Sequence, residues 1–335
     1  MTARIPFCLL LFLTGCCDCM LRGTISPILR HDATRYCHIC ANHTMCQFPD
    51  DDHGTRCSNL DSADLDLDQK DIDTILYWHN TYRNTVASGE EQRGNPGPQR
   101  PAKYMMELLW DDELAFIARR WALQCNLFEK DQCRDVERFQ VWQNVHVLDM
   151  NSVGNATSTG RIHFHIQSWY DEVEDFDSAE FGFVNLTARS NLSYIAFASA
   201  IISQVGCGRA IYTAKQDGSP PGREETATVT GTMHVLGFGD RVETLVCNYG
   251  PLDRKTPREL YEDGVPALCP QGTIRSSGYA ALCQKSQKWP SRKLQRRTES
   301  SQKRTSETMT SGTFLIKGTI YPVHLILLLL ARLWT

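Results

Sequence analysis

The stretch CHICANHTMC, residues 37–46, places three cysteines and two histidines within ten residues. Two chemistries could use it. Cys37 and Cys40 could give thiolates to a zinc ion that needs two further ligands, for which His38 and His43 are at hand. Alternatively, the cysteines are oxidised to cystines. Zinc is the poorer fit, because both histidines are crowded into one loop and no second C-x-x-C follows at finger spacing. Two other histidines, His163 and His165, lie two residues apart. On a strand they would share a face and could begin a metal site, whereas on a helix they diverge. No third ligand is evident near them. His79 falls on the apolar side of a helical repeat and is expected in the core with a hydrogen bond, not as a catalyst.

The beginning of the chain bears on the choice between zinc and cystine. Arg4 precedes an apolar run from Ile5 to Leu13, and small residues follow near Gly15, so residues 1–20 read as a secretory signal peptide. Secretion means an oxidising route, in which cysteines pair. Of 14 cysteines, Cys8, Cys16, Cys17 and Cys19 lie in or beside the signal. The other ten are Cys37, Cys40, Cys46, Cys57, Cys125, Cys133, Cys207, Cys247, Cys269 and Cys283, an even number suited to five bridges whose connectivity spacing leaves open. Asn-x-Ser/Thr sequons at Asn42, Asn155, Asn185 and Asn191 fit a secreted glycoprotein. The net charge of −4 offers no electrostatic case for binding nucleic acid.

The elements that position these residues are partly visible in the periodicity. In DQKDIDTILYWHNTYRNTVASG, positions Ile72, Ile75, Leu76, His79, Arg83 and Val86 recur at three- and four-residue steps, predicting an amphipathic helix that stops near Gly89. RGNPGPQRPA reads as a stiff surface loop. A second helix is predicted from about Asp111, with Leu114, Ile117, Ala118 and Trp121 on one face and acidic residues in its first turn. RIHFHIQSWYDEVEDF reads as a third helix. YIAFASAII, GCGRAIY and ETLVCNY read as strands, and TAKQDGSPPGREETATVTG as a long exposed loop. Helices followed by late strands suggest a layered α/β domain.

Residues 50–73 carry nine aspartates and form an acidic lead-in. Residues 285–304 carry eight Lys or Arg and one Glu, which reads as part of a solvated basic stalk. Beyond it, residues 320–330 are apolar after small residues at Ser311, Gly312 and Thr313, a pattern that could signal a lipid anchor. The expected organisation is a signal at 1–20, a main domain at 35–250, a cysteine-containing extension at 251–284, a polar stalk at 285–315 and a hydrophobic tail at 316–335.

Several runs in order carry a family resemblance: HNTYR (79–83), ASGEEQRGNPGPQRPA (87–102), LLWDDELAFIARRWALQC (108–125), CRDVERFQVWQNV (133–145), SWYDEVEDF (168–176), VGCG (205–208) and LVCNYGP (245–251). With them the chain resembles the antigen 5 proteins of insect venom and saliva. These belong to the CAP superfamily of cysteine-rich secretory, antigen 5 and pathogenesis-related 1 proteins. The resemblance implies a disulfide-rich, three-layer α-β-α sandwich. It also implies the pairs Cys37–Cys46, Cys40–Cys133, Cys57–Cys125, Cys207–Cys247 and Cys269–Cys283, which favours cystine over zinc in the opening stretch.

Many members of that superfamily resemble one another in a central cleft of two histidines and two acidic residues, a set able to hold a divalent metal. Carried onto this chain, the four positions are Lys130, Gln143, Glu172 and Ser193, with Glu129 the alternative at the first. No histidine remains, and a protonated lysine is a poor ligand. The resemblance therefore implies no metal, no cofactor and no catalytic residue. It points to a secreted, monomeric, non-enzymatic protein that binds a small lipophilic ligand or a partner protein through its loops and a degenerate cleft. Two alternatives stand beside it: a metal- or serine-dependent hydrolase, for which a Ser193–Lys130 dyad is the candidate, and a surface module tethered to a membrane by its C-terminal tail.

Overall fold

A computed structural model describes residues 34–50, 53–62, 65–177, 192–214, 226–229, 232–235, 239–252 and 260–286. The signal, the stalk beyond Ser286, the apolar tail, Asn185 and Asn191 lie outside the described residues. In chain order the elements are α1 (Thr34–Ile39), α2 (Thr44–Gln47), β1 (Cys57–Ser58), α3 (Gln69–Ser88), β2 (Ala102–Lys103), β3 (Leu109–Trp110), α4 (Asp112–Ala122), β4 (Trp142–Asp149) and α5 (Ser158–Asp171). A 3-10 turn at Glu172–Asp175 extends α5. Then come α6 (Ile195–Ala198), β5 (Gln204–Ala214), β6 (Thr226–Val229), β7 (Thr232–Val235), β8 (Arg241–Gly250), β9 (Glu262–Asp263), β10 (Thr273–Arg275) and β11 (Cys283–Lys285).

Local chemistry sets the helix ends. Asp68 and Asp71 form a reciprocal capping box at the start of α3, and Gly89 closes the helix in the left-handed region at φ 76°. The Asp111 carboxylate accepts from Leu114 N at 3.0 Å to cap α4, and Thr157 caps α5. The main sheet runs β1-β5-β8-β4, all antiparallel, with β3 parallel to β5. Leu245, Cys247 and Tyr249 of β8 face a core shared with Ile75 and Val86 of α3 and with Ile162, Ile166 and Trp169 of α5. Val242 and Val246 face Ala118 and Ala122 of α4 on the other side. Helices cover both faces, so the central strands are buried throughout, and the layers are α-β-α. On β5, Gly206 and Gly208 bring α4 onto the sheet: a Cβ at Gly208 would sit 2.2 Å from Arg119 N.

Five disulfides staple this domain: Cys37–Cys46, Cys40–Cys133, Cys57–Cys125, Cys207–Cys247 and Cys269–Cys283. They are the same five pairs as the resemblance implies. Cys207 and Cys247 are direct cross-strand partners.

Two sequence expectations are corrected. YIAFASAII is not a strand. It forms the single turn α6 and then irregular backbone, all but Ile201 buried. Arg83 is the reason. Its guanidinium, fully buried, donates to the carbonyls of Met106, Ala196, Phe197, Ser199 and Ile202 at 2.7–3.2 Å. Backbone oxygens gathered round one cation cannot also run in a ladder. The loop expected at 213–231 is partly a hairpin, with β6 paired to β7 from Thr226↔Val235 to Val229↔Thr232. Threonines and valines there outweigh the Gly/Pro signal just upstream.

Candidate binding cleft

The loop from Cys125 to Cys133 is fastened at both ends, to Cys57 and to Cys40. Its middle is held by β4. Asp131 N donates to Gln143 Oε1 at 2.8 Å, while Gln143 Nε2 donates to Asn248 Oδ1 at 3.0 Å. Asp131 in turn accepts from Thr44 Oγ1 at 2.8 Å and from Arg134 at 2.9 Å. Successive strand residues point to opposite faces. Gln143 therefore supports the loop from one side of β4, while Trp142 and Asn144 project from the other. Its amide is engaged in positioning.

Fixing Asp131 places Lys130. Its Nζ lies 4.9 Å from the centroid of the Trp142 ring, a cation–π contact. Trp142 Nε1 donates to Asn144 Oδ1 at 2.9 Å, and Asn144 Nδ2 donates to Ser193 O at 2.9 Å. Ser193 N donates to Glu172 Oε2 in a short contact. Glu172 also accepts from the Ser193 hydroxyl and from Tyr194 N–H. The structure thus gathers Lys130, Glu172 and Ser193 around Trp142 and Asn144. Glu129, the alternative at the first position, is exposed and lies 3.9 Å from Arg56.

The electrostatics follow from burial. Desolvation draws the Lys130 ammonium down to about 8, Arg134 pushes the same way, and Glu172 opposes. Burial raises the Glu172 carboxyl above its ordinary range despite the Ser193 and Tyr194 donors and the Lys130 charge. Each thus favours the charged form of the other. The groups present do not suit a divalent metal. One is an ammonium, one an amide committed to the loop, one a carboxylate capped by three donors and one a hydroxyl bonded to that carboxylate. Among the described residues, no cluster of three or more His, Cys, Asp or Glu is placed to hold a metal. Nor is Ser193 arranged as a nucleophile on Lys130, since its proton points to Glu172.

The other singled-out residues are elsewhere. His79 Nδ1 donates to Ile75 O at 2.8 Å and Nε2 accepts from Tyr249 OH at 2.9 Å, with Phe197 stacked on the ring. Burial lowers it to about 4. Asn80 of the same HNTYR run closes a two-way contact with the Leu108 backbone. That motif is structural. On α5, His163 stacks on Trp78 at the surface while His165 turns inward. Among the sequons, Asn42 is half-buried and donates to Gln132, and Asn155 is exposed in the turn before α5.

The sequence reading missed a second polar array. Ser168 Oγ lies 3.1 Å from His146 Nε2, and His146 Nδ1 lies 2.8 Å from His165 Nδ1. Behind His165 stands Glu243, bonded to Arg161. Burial would raise the Glu243 carboxyl, but neighbouring His165, whose Nε2 lies 3.7 Å away, and the Arg161 guanidinium hold it low. The available signal was the alternation Trp142, Asn144, His146, three polar-tipped side chains on one face of β4. Lacking a recognised strand there, nothing joined His146 to His165.

The cysteine-rich secretory protein family (CAP) model matches residues 76–249. Venom allergen 3 of Solenopsis invicta is 35% identical over 241 residues, covering 69% of this chain and 90% of the relative. Venom allergen 5.02 of Dolichovespula maculata is 34% identical over 242 residues, covering 69% and 95%. The crystal structure of Na-ASP-1 aligns over 64% of this chain and 47% of that one, at 19% identity and a TM-score of 0.47. With its α-β-α layers and five cystines, the chain belongs to the CAP family as a secreted, antigen 5-like protein.

Proposed function

We propose that this protein is a non-enzymatic binding scaffold, and that its cleft and flanking loops receive a small lipophilic ligand or a partner protein. The observation that carries this reading is the run of contacts from Lys130 through Trp142, Asn144 and Ser193 to Glu172, in which the polar groups are engaged with neighbours. Such a cleft offers no lone-pair set for a metal and no activated nucleophile. It does offer a cation, Lys130, seated over the buried Trp142 ring and with its charge tuned by burial. The disulfides at both ends of the Lys130 loop keep that surface rigid, which favours binding by reducing the entropy lost on association.

The test uses the purified secreted chain. Calorimetry with zinc is expected to show no stoichiometric binding that depends on Glu172, and esterase assays no turnover that depends on Ser193. Zinc binding abolished by Glu172→Gln, or hydrolysis abolished by Ser193→Ala, would overturn the reading. Sterol and fatty-acid transfer then separates the two ligand classes: transfer above background that Lys130→Ala reduces supports the lipophilic ligand, and transfer at background leaves the partner protein. The apolar run 320–330 supports a tethered form in addition, which phospholipase release from cells would reveal.

A further inference from the structure

A groove of about 480 Å³ lies between the N-terminal halves of α3 and α5, away from the Lys130 loop. Its wall is aromatic. Trp78 and His163 stack with centroids 3.6 Å apart, and Tyr77 stands edge-on to Trp78 with 54% of its surface open. Around these rings are the hydroxyls of Thr157 and Thr159 and the charges of Lys70 and Asp73. A purely apolar guest would strip water from that lysine and aspartate without replacing it. A sugar ring would not. Its C–H face can lie on an aromatic ring while its hydroxyls bond the polar rim.

The chain itself supplies a sugar at this spot. Asn155-Ala156-Thr157 is an acceptor sequon, and Asn155 is exposed in a turn. Thr157 belongs to both features: it completes the sequon, and it lines the groove. Two residues span at most about 7 Å. A glycan rooted at Asn155 therefore begins at the groove's edge. We propose that Asn155 carries an N-linked glycan whose inner rings lie in this groove against Tyr77. The glycan covers an exposed aromatic surface and braces the seam where Ser158 of α5 donates to Asp71 of α3 at 2.7 Å. The inference is independent of the cleft reading, since no residue is shared.

Hydroxyl-radical footprinting of the full chain from a secretory host tests it, with peptide mapping for occupancy. Asn155 is expected to be glycosylated. Oxidation of Tyr77 is expected to rise at least about twofold in Asn155→Gln, because ring contact is lost, and to stay unchanged in Asn42→Gln. The same rise is expected when the glycan is released enzymatically from the folded wild-type chain, a readout that needs no variant. An unoccupied Asn155 overturns the proposal. So does Tyr77 oxidation equal with and without the glycan, or protection that persists after its removal.

Discussion

Replacing Arg83 by methionine tests the central claim about the fold, that one buried cation decides the path of residues 194–202. Methionine replaces the unbranched aliphatic stem but removes every donor. Six hydrogen bonds to five carbonyls are lost. A buried carbonyl left unsatisfied costs about 1–3 kcal/mol, so the gross loss is at least about 5 kcal/mol. Against it stands relief from burying a guanidinium, whose desolvation alone lowers Arg83 to about 9. That relief amounts to several kcal/mol at most after relaxation. The net expectation is about 3–5 kcal/mol of lost stability, with Arg83→Lys intermediate because an ammonium keeps the charge but has three donors in place of five. Denaturant unfolding of the oxidised protein measures the loss. Hydrogen exchange locates it: protection should fall first in 194–202 and at Met106, before the β5–β8 ladder. A loss under about 1 kcal/mol, or unchanged protection in that segment, would refute the reasoning.

Three further outcomes follow from the same geometry. His79 is held near 4 by burial, below its unfolded value near 6.5. As the pH falls from 6.5 toward 4 the unfolded chain takes up a proton that the folded chain refuses, so stability is full above 6.5 and declines by up to about 3 kcal/mol across that window. An NMR titration of the His79 imidazole near pH 6.5 would contradict this. Gly208→Ala should abolish secretion of folded protein, or cost more than about 3 kcal/mol, since its Cβ would meet the α4 backbone at 2.2 Å; a normally stable variant would count against the close helix–sheet approach. Finally, Lys130→His with Ser193→His should create zinc affinity absent from the parent, dependent on Glu172, read by calorimetry; failure to bind would mean that these positions do not converge as described.

The cleft shows where sequence reading stops. The resemblance names Lys130, Gln143, Glu172 and Ser193, and three of them do converge, yet their states depend on residues it did not single out. Trp142 lies under the lysine, Asn144 joins the tryptophan to the serine backbone, and Asp131 ties the loop to Gln143. None has a spacing signal, because each contact crosses from one element to another.

Helices α3, α4 and α5 were legible in the chain alone because their signals are local: a 3.6-residue apolar repeat, an acidic first turn, a stop at Gly89. An oxidising history was legible from cysteine number and the leading apolar run. The turn at Ile195–Ala198 was not. Its residues are apolar enough to suit a strand or a helix, and a guanidinium arriving from Arg83, more than a hundred positions earlier in the chain, decides between them. The same holds for His146 and His165: each is an ordinary residue in its own segment, and only the packing of α5 on β4 makes them a pair. Periodicity reports which face of an element is buried, whereas the partner of a buried polar group is set by whatever the fold brings opposite it.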